Sequence, residues 1–88
     1  MSNRTRLSQR IQDIFAATFQ GMNDGAAAPV LEDGTVLLET GLDSLGFAIL
    51  VTRLEDELGY DPFTLSAEPF YPQTFGEFVD FYQAHAPA

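Results

Sequence analysis

The sequence predicts an all-α fold, a small bundle of three to four helices. Apolar residues recur at the three- and four-residue spacing of an amphipathic helix in three separate segments. Most proline and glycine residues lie between those segments, and no stretch shows the alternating pattern that is typical of a β-strand. The 88 residues suffice for one domain, so we expect residues 1–88 to fold as a single unit.

The first predicted helix covers about residues 4–20, and Ser2 or Asn3 is available as its N-cap. Its apolar residues lie at helical spacing and are Leu7, Ile11, Ile14, Phe15 and Phe19. Residues that favour turns follow this segment and predict the end of the helix. They are Gly21, Asn23, Asp24 and Gly25.

A long connection is predicted over residues 21–42, because this segment has no sustained apolar period and contains Pro29, Gly34 and Gly41. Long connections in compact domains are usually functional or are held in place by their own apolar side chains. We expect apolar side chains of the segment to pin it to the core. The available ones are Val30, Val36, Leu37 and Leu42.

The second predicted helix covers residues 44–58 and ends at Gly59, a favoured C-cap residue. One apolar stripe follows helical spacing and consists of Phe47, Leu50, Val51, Leu54 and Leu58. A second, shorter stripe lies almost opposite and consists of Leu45, Ala48, Ile49 and Thr52. A helix in so small a monomer needs only one buried stripe, so the second stripe is a candidate docking face for a partner. The alternative is that it packs under the 22–42 loop or the 60–73 segment.

The segment over residues 60–73 contains Pro62, Pro69 and Pro72, which leave room for no more than short helical turns. A last helix is predicted over about residues 74–83. Its apolar face consists of Phe75, Phe78, Val79 and Tyr82. Thr74 and Glu77 at its start have the spacing of a capping box, and the tail over residues 84–88 is expected to be frayed.

The charge of the chain is unevenly distributed. Residues 1–23 carry a local charge of +2 and residues 24–88 carry −11, which gives the formal net charge of −9. Nucleic acid is therefore disfavoured as a partner, since phosphate binding needs clustered Lys and Arg. An acidic domain of this kind is instead suited to basic patches on other proteins.

Catalysis by the chain alone is not expected. A serine nucleophile needs a base, usually a histidine, and the single histidine, His85, lies in the tail that we expect to be frayed. The chain has no cysteine, which excludes a disulfide, a thiol nucleophile and a zinc–cysteine site. Glu55, Asp56 and Glu57 are consecutive and point in different directions, so they indicate a solvated face rather than a metal site.

The most informative stretch is Gly41-Leu42-Asp43-Ser44-Leu45, at the start of the second predicted helix. It sets a serine hydroxyl at the first turn, where free backbone amides and the helix dipole favour an anion. Either Asp43 or Ser44 could also serve as the N-cap, a role worth about 1 kcal/mol.

In its helical frame, and followed by Leu54-Glu55-Asp56-Glu57-Leu58-Gly59, this stretch resembles the acyl carrier protein family. Residues 70–75, Phe-Tyr-Pro-Gln-Thr-Phe, are similar to the entry to the last helix in polyketide-type and peptidyl carriers. The resemblance covers most of the chain. It implies a helical bundle of acyl-carrier-protein type, formed by a single carrier domain.

The resemblance also implies a modification and a set of partners. A phosphopantetheinyl transferase would attach the 4′-phosphopantetheine group of coenzyme A to Ser44, with Asp43 helping to bind the transferase's magnesium ion. The thiol of that group carries an acyl intermediate as a thioester between enzymes. The chain would then be a transferase substrate rather than an enzyme, and its other partners would be acyl-activating and acyl-transferring enzymes with basic and apolar docking patches. The expected docking residues are Leu45, Ala48, Ile49, Thr52, Glu55 and Asp56.

Three positions depart from the pattern of bacterial fatty-acid carriers. Those carriers have acids where this chain has Gly46 and Ile49, and a small neutral residue where it has Arg53. We therefore expect a stand-alone carrier of a specialised lipid or polyketide-type pathway, monomeric, cytoplasmic and without a membrane span. Because glycine costs about 0.5–1 kcal/mol in a helix, we interpret Gly46 as making room for the prosthetic group or a partner; the alternative is that a glycine is simply tolerated there.

Other functions remain open on the residues alone. A peptidyl or aminoacyl carrier more often has Gly-Gly-x-Ser before the helix, where this chain has Leu-Asp-Ser. An unmodified acidic helical adaptor would bind a basic partner through charge. A DNA-mimic inhibitor would depend on acidity alone, regardless of Ser44.

Overall fold

The computed structural model describes residues 3–22, 25, 27–67 and 71–86. Its elements are α1 (Asn3–Met22), a 3₁₀ turn (Leu37–Glu39), α2 (Ser44–Leu58), α3 (Pro62–Leu65) and α4 (Phe75–Ala84). In the described ranges no strand forms, apart from a single antiparallel bridge between Val36 and Thr74. The predicted all-α fold is confirmed.

The helix ends follow local capping chemistry. Helix α2 occupies the predicted residues, with Asp43 as N-cap and Gly59 as C-cap at φ +86°. The Thr74 side chain accepts a hydrogen bond from the Glu77 amide, and the Glu77 carboxylate accepts one from the amide of Gln73. The capping residues in the sequence thus correctly predicted where α2 ends and where α4 begins.

The end of α1 differs from the prediction. Gly21 does not stop the helix, which continues to Met22, and Gly25 makes the turn with φ +80° and a 2.8 Å hydrogen bond to the carbonyl of Gln20. A glycine inside a helix costs about 1 kcal/mol, and the last residue of α1, Met22, lies beside Gly46 of α2. The predicted contributions of Ser2, Asn23 and Asp24 lie outside the described residues.

The core lies where α1 packs against α2 and α4. The predicted inner stripe of α2 faces it, with Leu50 and Leu54 fully buried and Phe47 half-buried. Aromatic rings fill the space between α2, α3 and α4, with centroids 4.9–6.3 Å apart. These rings belong to Phe47, Phe63, Phe78, Phe81 and Tyr82.

The connection between α1 and α2 is pinned by different residues from those predicted. Leu37 and Leu42 are buried as expected, and Leu31 is buried as well. The prediction is wrong for Val30, which is 80% exposed, and for Val36, whose side chain is also exposed. Without a period, the sequence could not tell which of two neighbouring apolar residues points inward.

Backbone hydrogen bonds attach this connection to the start of α4. The amide of Leu37 donates to the carbonyl of Gln73, and the amide of Phe75 donates to the carbonyl of Thr35, both at 2.9 Å. At Gly76 the chains approach so closely that a Cβ atom would lie 2.9 Å from the carbonyl oxygen of Asp33. Glycine is therefore required here by contact with backbone, which cannot rotate away.

Arg4 forms salt bridges to both the connection and α4. Its Nε lies 2.7 Å from a carboxylate oxygen of Asp80 on α4, and its Nη2 lies 3.2 Å from one of Asp33. A second arginine of α1, Arg10, donates to the carbonyl oxygen of Glu57 in the last turn of α2, at 2.9 Å. Such contacts at a helix C-terminus satisfy a carbonyl that has no partner within the helix.

The C-terminal residues are more ordered than predicted. Ala84 belongs to α4, the Nδ1 atom of His85 lies 3.0 Å from the Phe81 carbonyl oxygen, and the His85 ring packs edge-on against Phe81. The expectation of a frayed tail is therefore wrong for Ala84 and His85, because the histidine ring continues the apolar face of α4. Residues 87–88 lie outside the described residues.

None of the described helices is long and apolar enough to cross a bilayer.

Tyr82 is fully buried, yet its hydroxyl has no hydrogen-bond partner among the described residues. Burial of the hydroxyl raises the pKa of Tyr82 well above its ordinary value, and the nearby negative charge of Asp61 raises it further. An unpaired buried hydroxyl costs about 1–3 kcal/mol. We therefore expect Tyr82→Phe to increase the free energy of unfolding by about 1 kcal/mol in urea titrations.

The buried Tyr82 hydroxyl also predicts that the free energy of unfolding depends on pH in the alkaline range. The folded state keeps the Tyr82 proton where the unfolded chain loses it, so stability is full below about pH 10 and falls as the pH rises further. Tyr82→Phe should flatten this decline, as measured by urea titrations between about pH 8 and about pH 11. Lower stability of Tyr82→Phe at neutral pH would contradict the assignment of an unpaired hydroxyl.

Candidate functional site

The start of α2 separates the roles of Asp43 and Ser44, which the sequence left open. Asp43 is the N-cap: its Oδ1 accepts a 2.8 Å hydrogen bond from the Gly46 amide, and its carbonyl accepts one from Phe47. Ser44 is the first residue of α2, and its side chain is exposed. Its hydroxyl has no hydrogen-bond partner within the described part of the chain. Since Asp43 is the cap, the Ser44 hydroxyl is both exposed and unpaired among the described residues.

Two backbone amides beside that oxygen are also unpaired. The first amides of a helix have no partner within it, and among the described residues those of Ser44 and Leu45 find none elsewhere. Free amides and the helix dipole together favour an anion at this end of α2. A phosphate ester on the Ser44 oxygen would lie within this field.

The approach to Ser44 is fixed by three consecutive residues. The Thr40 hydroxyl donates to the carbonyl of Leu37 at 2.6 Å and accepts from the amide of Leu42 at 3.3 Å. Gly41 adopts φ +97°, a conformation that favours glycine. Leu42 then enters the core, so that Asp43 and Ser44 emerge at the surface on an anchored backbone.

The structure gives Gly46 a different role from the one that the sequence suggested. Gly46 is buried, and a Cβ atom there would lie 2.7 Å from Cδ1 of Leu42 and 3.0 Å from Sδ of Met22. The missing side chain makes room for the chain's own residues at the junction of α1 and α2. It does not open space for a prosthetic group or a partner.

Gly46→Ala is therefore expected to lower the free energy of unfolding by about 1 kcal/mol. Overpacking against buried Leu42 costs about 1–3 kcal/mol, and the gain in helix propensity of about 1 kcal/mol only partly offsets it. The matched control is Gly21→Ala in α1, where nothing lies within 4 Å of the added atom and a stabilisation is expected. Equal stabilisation by both substitutions in denaturant titrations would show that packing does not require Gly46.

The predicted docking stripe lies on the outer face of α2. Leu45 is 65% exposed, Ala48 and Thr52 are exposed, and Ile49 is half-buried. Apart from the half-buried Ile49, the stripe is thus not covered by the described residues of the long connection or by residues 60–67 and 71–73. Asp56, one turn beyond Thr52, extends the same face, and exposed Glu55 borders it.

Two apolar pockets that the sequence did not indicate lie on another side of the molecule. The first, of about 380 Å³, is lined by Leu37, Leu38, Phe47, Phe63, Tyr71 and Pro72. The second, of about 300 Å³, shares Leu38, Tyr71 and Pro72 with the first and adds Val36 and Gln73. The only sequence feature that could have indicated these pockets is a pair of neighbouring apolar residues in each of two segments that were predicted to be connections.

The described residues form no cluster of metal-binding side chains, since they contain no group of three or more histidine and acidic side chains that could hold a metal ion. Comparisons with protein-family models, with curated proteins and with solved structures find no match to this chain. The function must therefore be argued from the start of α2 itself.

Proposed function

We propose that this protein is a carrier of the acyl carrier protein type, modified with 4′-phosphopantetheine on Ser44. The observation that carries the proposal is the exposed, unpaired Ser44 hydroxyl at the first position of α2, directly after the N-cap Asp43. Serine often caps the start of a helix, but here Asp43 takes that role and Ser44 is the first helical residue. The oxygen is thus accessible to a transferase.

The residues present fit the group. The amides of Ser44 and Leu45 have no partner among the described residues and would bind the phosphodiester oxygens. The Asp43 carboxylate is exposed beside them and, by the resemblance, would contact the transferase's magnesium ion. When bound, the group supplies the thiol that the chain itself lacks, and this thiol holds an acyl group as a thioester.

The surface next to Ser44 supports a role in presenting cargo to other proteins. The exposed stripe begins at Leu45, the residue after the attachment point, and runs along α2 to Asp56. Partner enzymes with an apolar patch and basic residues would match it in polarity and charge. No other residue of the chain needs to perform chemistry.

The departures from fatty-acid carriers support a specialised pathway. An acid at position 46 would not fit between Leu42 and Met22, so the junction of α1 and α2 excludes the pattern of those carriers. The apolar Ile49 lies within the exposed stripe. A partner surface that recognises an acidic helix would therefore discriminate against this chain.

The experiment is covalent loading of the purified chain. It is incubated with coenzyme A, Mg²⁺ and a promiscuous phosphopantetheinyl transferase, and intact mass spectrometry should show the addition of one phosphopantetheine. Proteolysis and fragmentation should place it on Ser44. A chain that gains no mass with any transferase, while still binding basic partners, would be an unmodified acidic adaptor. Loaded chain that accepts only aminoacyl groups would be a peptidyl carrier.

A further inference from the structure

An exposed apolar surface lies where the 3₁₀ turn, α2, α3 and residues 71–73 meet. It is formed by the two pockets that share Leu38, Tyr71 and Pro72, and we call it the Leu38–Tyr71 surface. Leu38 is 72% exposed and Tyr71 is 83% exposed, although both are large and apolar. Apolar patches of this kind on a small acidic protein indicate an interaction site.

The backbone beneath this surface is held in place. The hydrogen bond from the Leu37 amide to the Gln73 carbonyl and the bridge between Val36 and Thr74 join the two segments that carry Leu38 and Tyr71. The floor consists of Phe47 and Phe63, whose rings meet edge-on with centroids 6.3 Å apart. A surface that is already formed loses little conformational entropy when a partner binds.

Acidic residues border this surface in the described part of the chain. Glu39 belongs to the same 3₁₀ turn, Asp61 caps the helix that contains Phe63, and the Glu77 carboxylate accepts from the amide of Gln73. None of the four arginines lines either pocket, and the charge of Arg4 is paired with Asp33 and Asp80. An occupant with basic groups is therefore favoured.

We propose that the Leu38–Tyr71 surface binds a segment of a partner protein that inserts apolar side chains and carries Lys or Arg on its flanks. A second copy of this chain is disfavoured as occupant, because it would bring a net charge of −9 against the acidic rim. The surface does not include Ser44, so binding does not rest on the carrier function and is the same for modified and unmodified chain.

The test uses a synthetic amphipathic peptide with leucines along one face and lysines on its flanks. Binding to the full chain is measured by calorimetry, and the contacted amides are located by NMR. We expect Leu38→Ser and Tyr71→Ser each to weaken binding by about tenfold. The matched control Val30→Ser, at an apolar residue that is 80% exposed but lines neither pocket, should leave affinity unchanged, as should Ser44→Ala.

Several results would overturn the proposal. Unchanged affinity in Leu38→Ser and Tyr71→Ser would place the peptide elsewhere on the acidic chain. Equal binding of a peptide with glutamates in place of the lysines would remove the argument from charge. Sedimentation that shows a dimer, lost in Tyr71→Ser, would make a second copy the occupant. Displacement of the peptide by decanoate, with the lysines irrelevant, would make the surface a lipid site.

Discussion

Replacing Ser44 with alanine is expected to abolish covalent loading with phosphopantetheine completely. The variant lacks the one oxygen that the proposed modification requires, and no neighbouring hydroxyl can substitute, since the next residues are Leu45 and Gly46. Because Asp43 provides the cap, the fold should be unaffected, with a change in unfolding free energy within about 0.5 kcal/mol. Intact mass after incubation with the transferase and coenzyme A gives the readout.

The matched control is Ser8→Ala, at a serine in the middle of α1, which should load as well as the original chain. Loading of Ser44→Ala would remove Ser44 as the attachment point. Circular dichroism and urea titration of both variants ensure that failure to load is not failure to fold. The failure of all variants to load, the original chain included, would exclude the carrier function.

Replacing Phe78 with alanine is expected to lower the free energy of unfolding by about 3–5 kcal/mol. Phe78 is fully buried, and its ring contacts those of Phe47, Phe63 and Tyr82, with centroids 4.9–6.2 Å apart. Its removal leaves a cavity where three helices meet. Since a chain of this length has a total stability of about 4–13 kcal/mol, the loss is a large fraction of it.

Urea titration provides the measurement, and Phe78→Leu provides a milder variant in case the alanine variant does not fold. Phe78→Leu should lose about 1 kcal/mol and keep the helical spectrum. Tyr71→Ala, at an aromatic residue on the surface, should change stability by no more than about 0.5 kcal/mol. A loss below about 1 kcal/mol for Phe78→Ala would show that the aromatic cluster is not the centre of the core.

The elements with strong local signals were predictable from the sequence. Helix α2 combines an apolar stripe around Leu50 and Leu54 with a capping residue at each end, Asp43 and Gly59. These signals agree with one another, so the helix is specified without reference to its neighbours. The sequence left open which of Asp43 and Ser44 caps this helix, because both residue types are favoured N-caps.

The features that depend on distant parts of the chain were not predictable. Gly21 lies inside α1, whose last residue, Met22, lies beside Gly46, and the absence of a side chain at Gly46 is explained by the close approach of Leu42. The Leu38–Tyr71 surface joins two segments that are far apart in sequence. Periodicity and capping signals concern one helix at a time, so they do not indicate which distant segments come into contact.

The position of Arg4 has a consequence for the segment that leads to Ser44. Its contacts with Asp33 and Asp80 are largely solvent-exposed, so each contributes only about 0–1 kcal/mol to stability. A kosmotropic salt such as sulfate screens such pairs and at the same time strengthens apolar burial. Such a salt therefore weakens the link between Arg4 and the connection at Asp33 while it stabilises the helical core behind that connection.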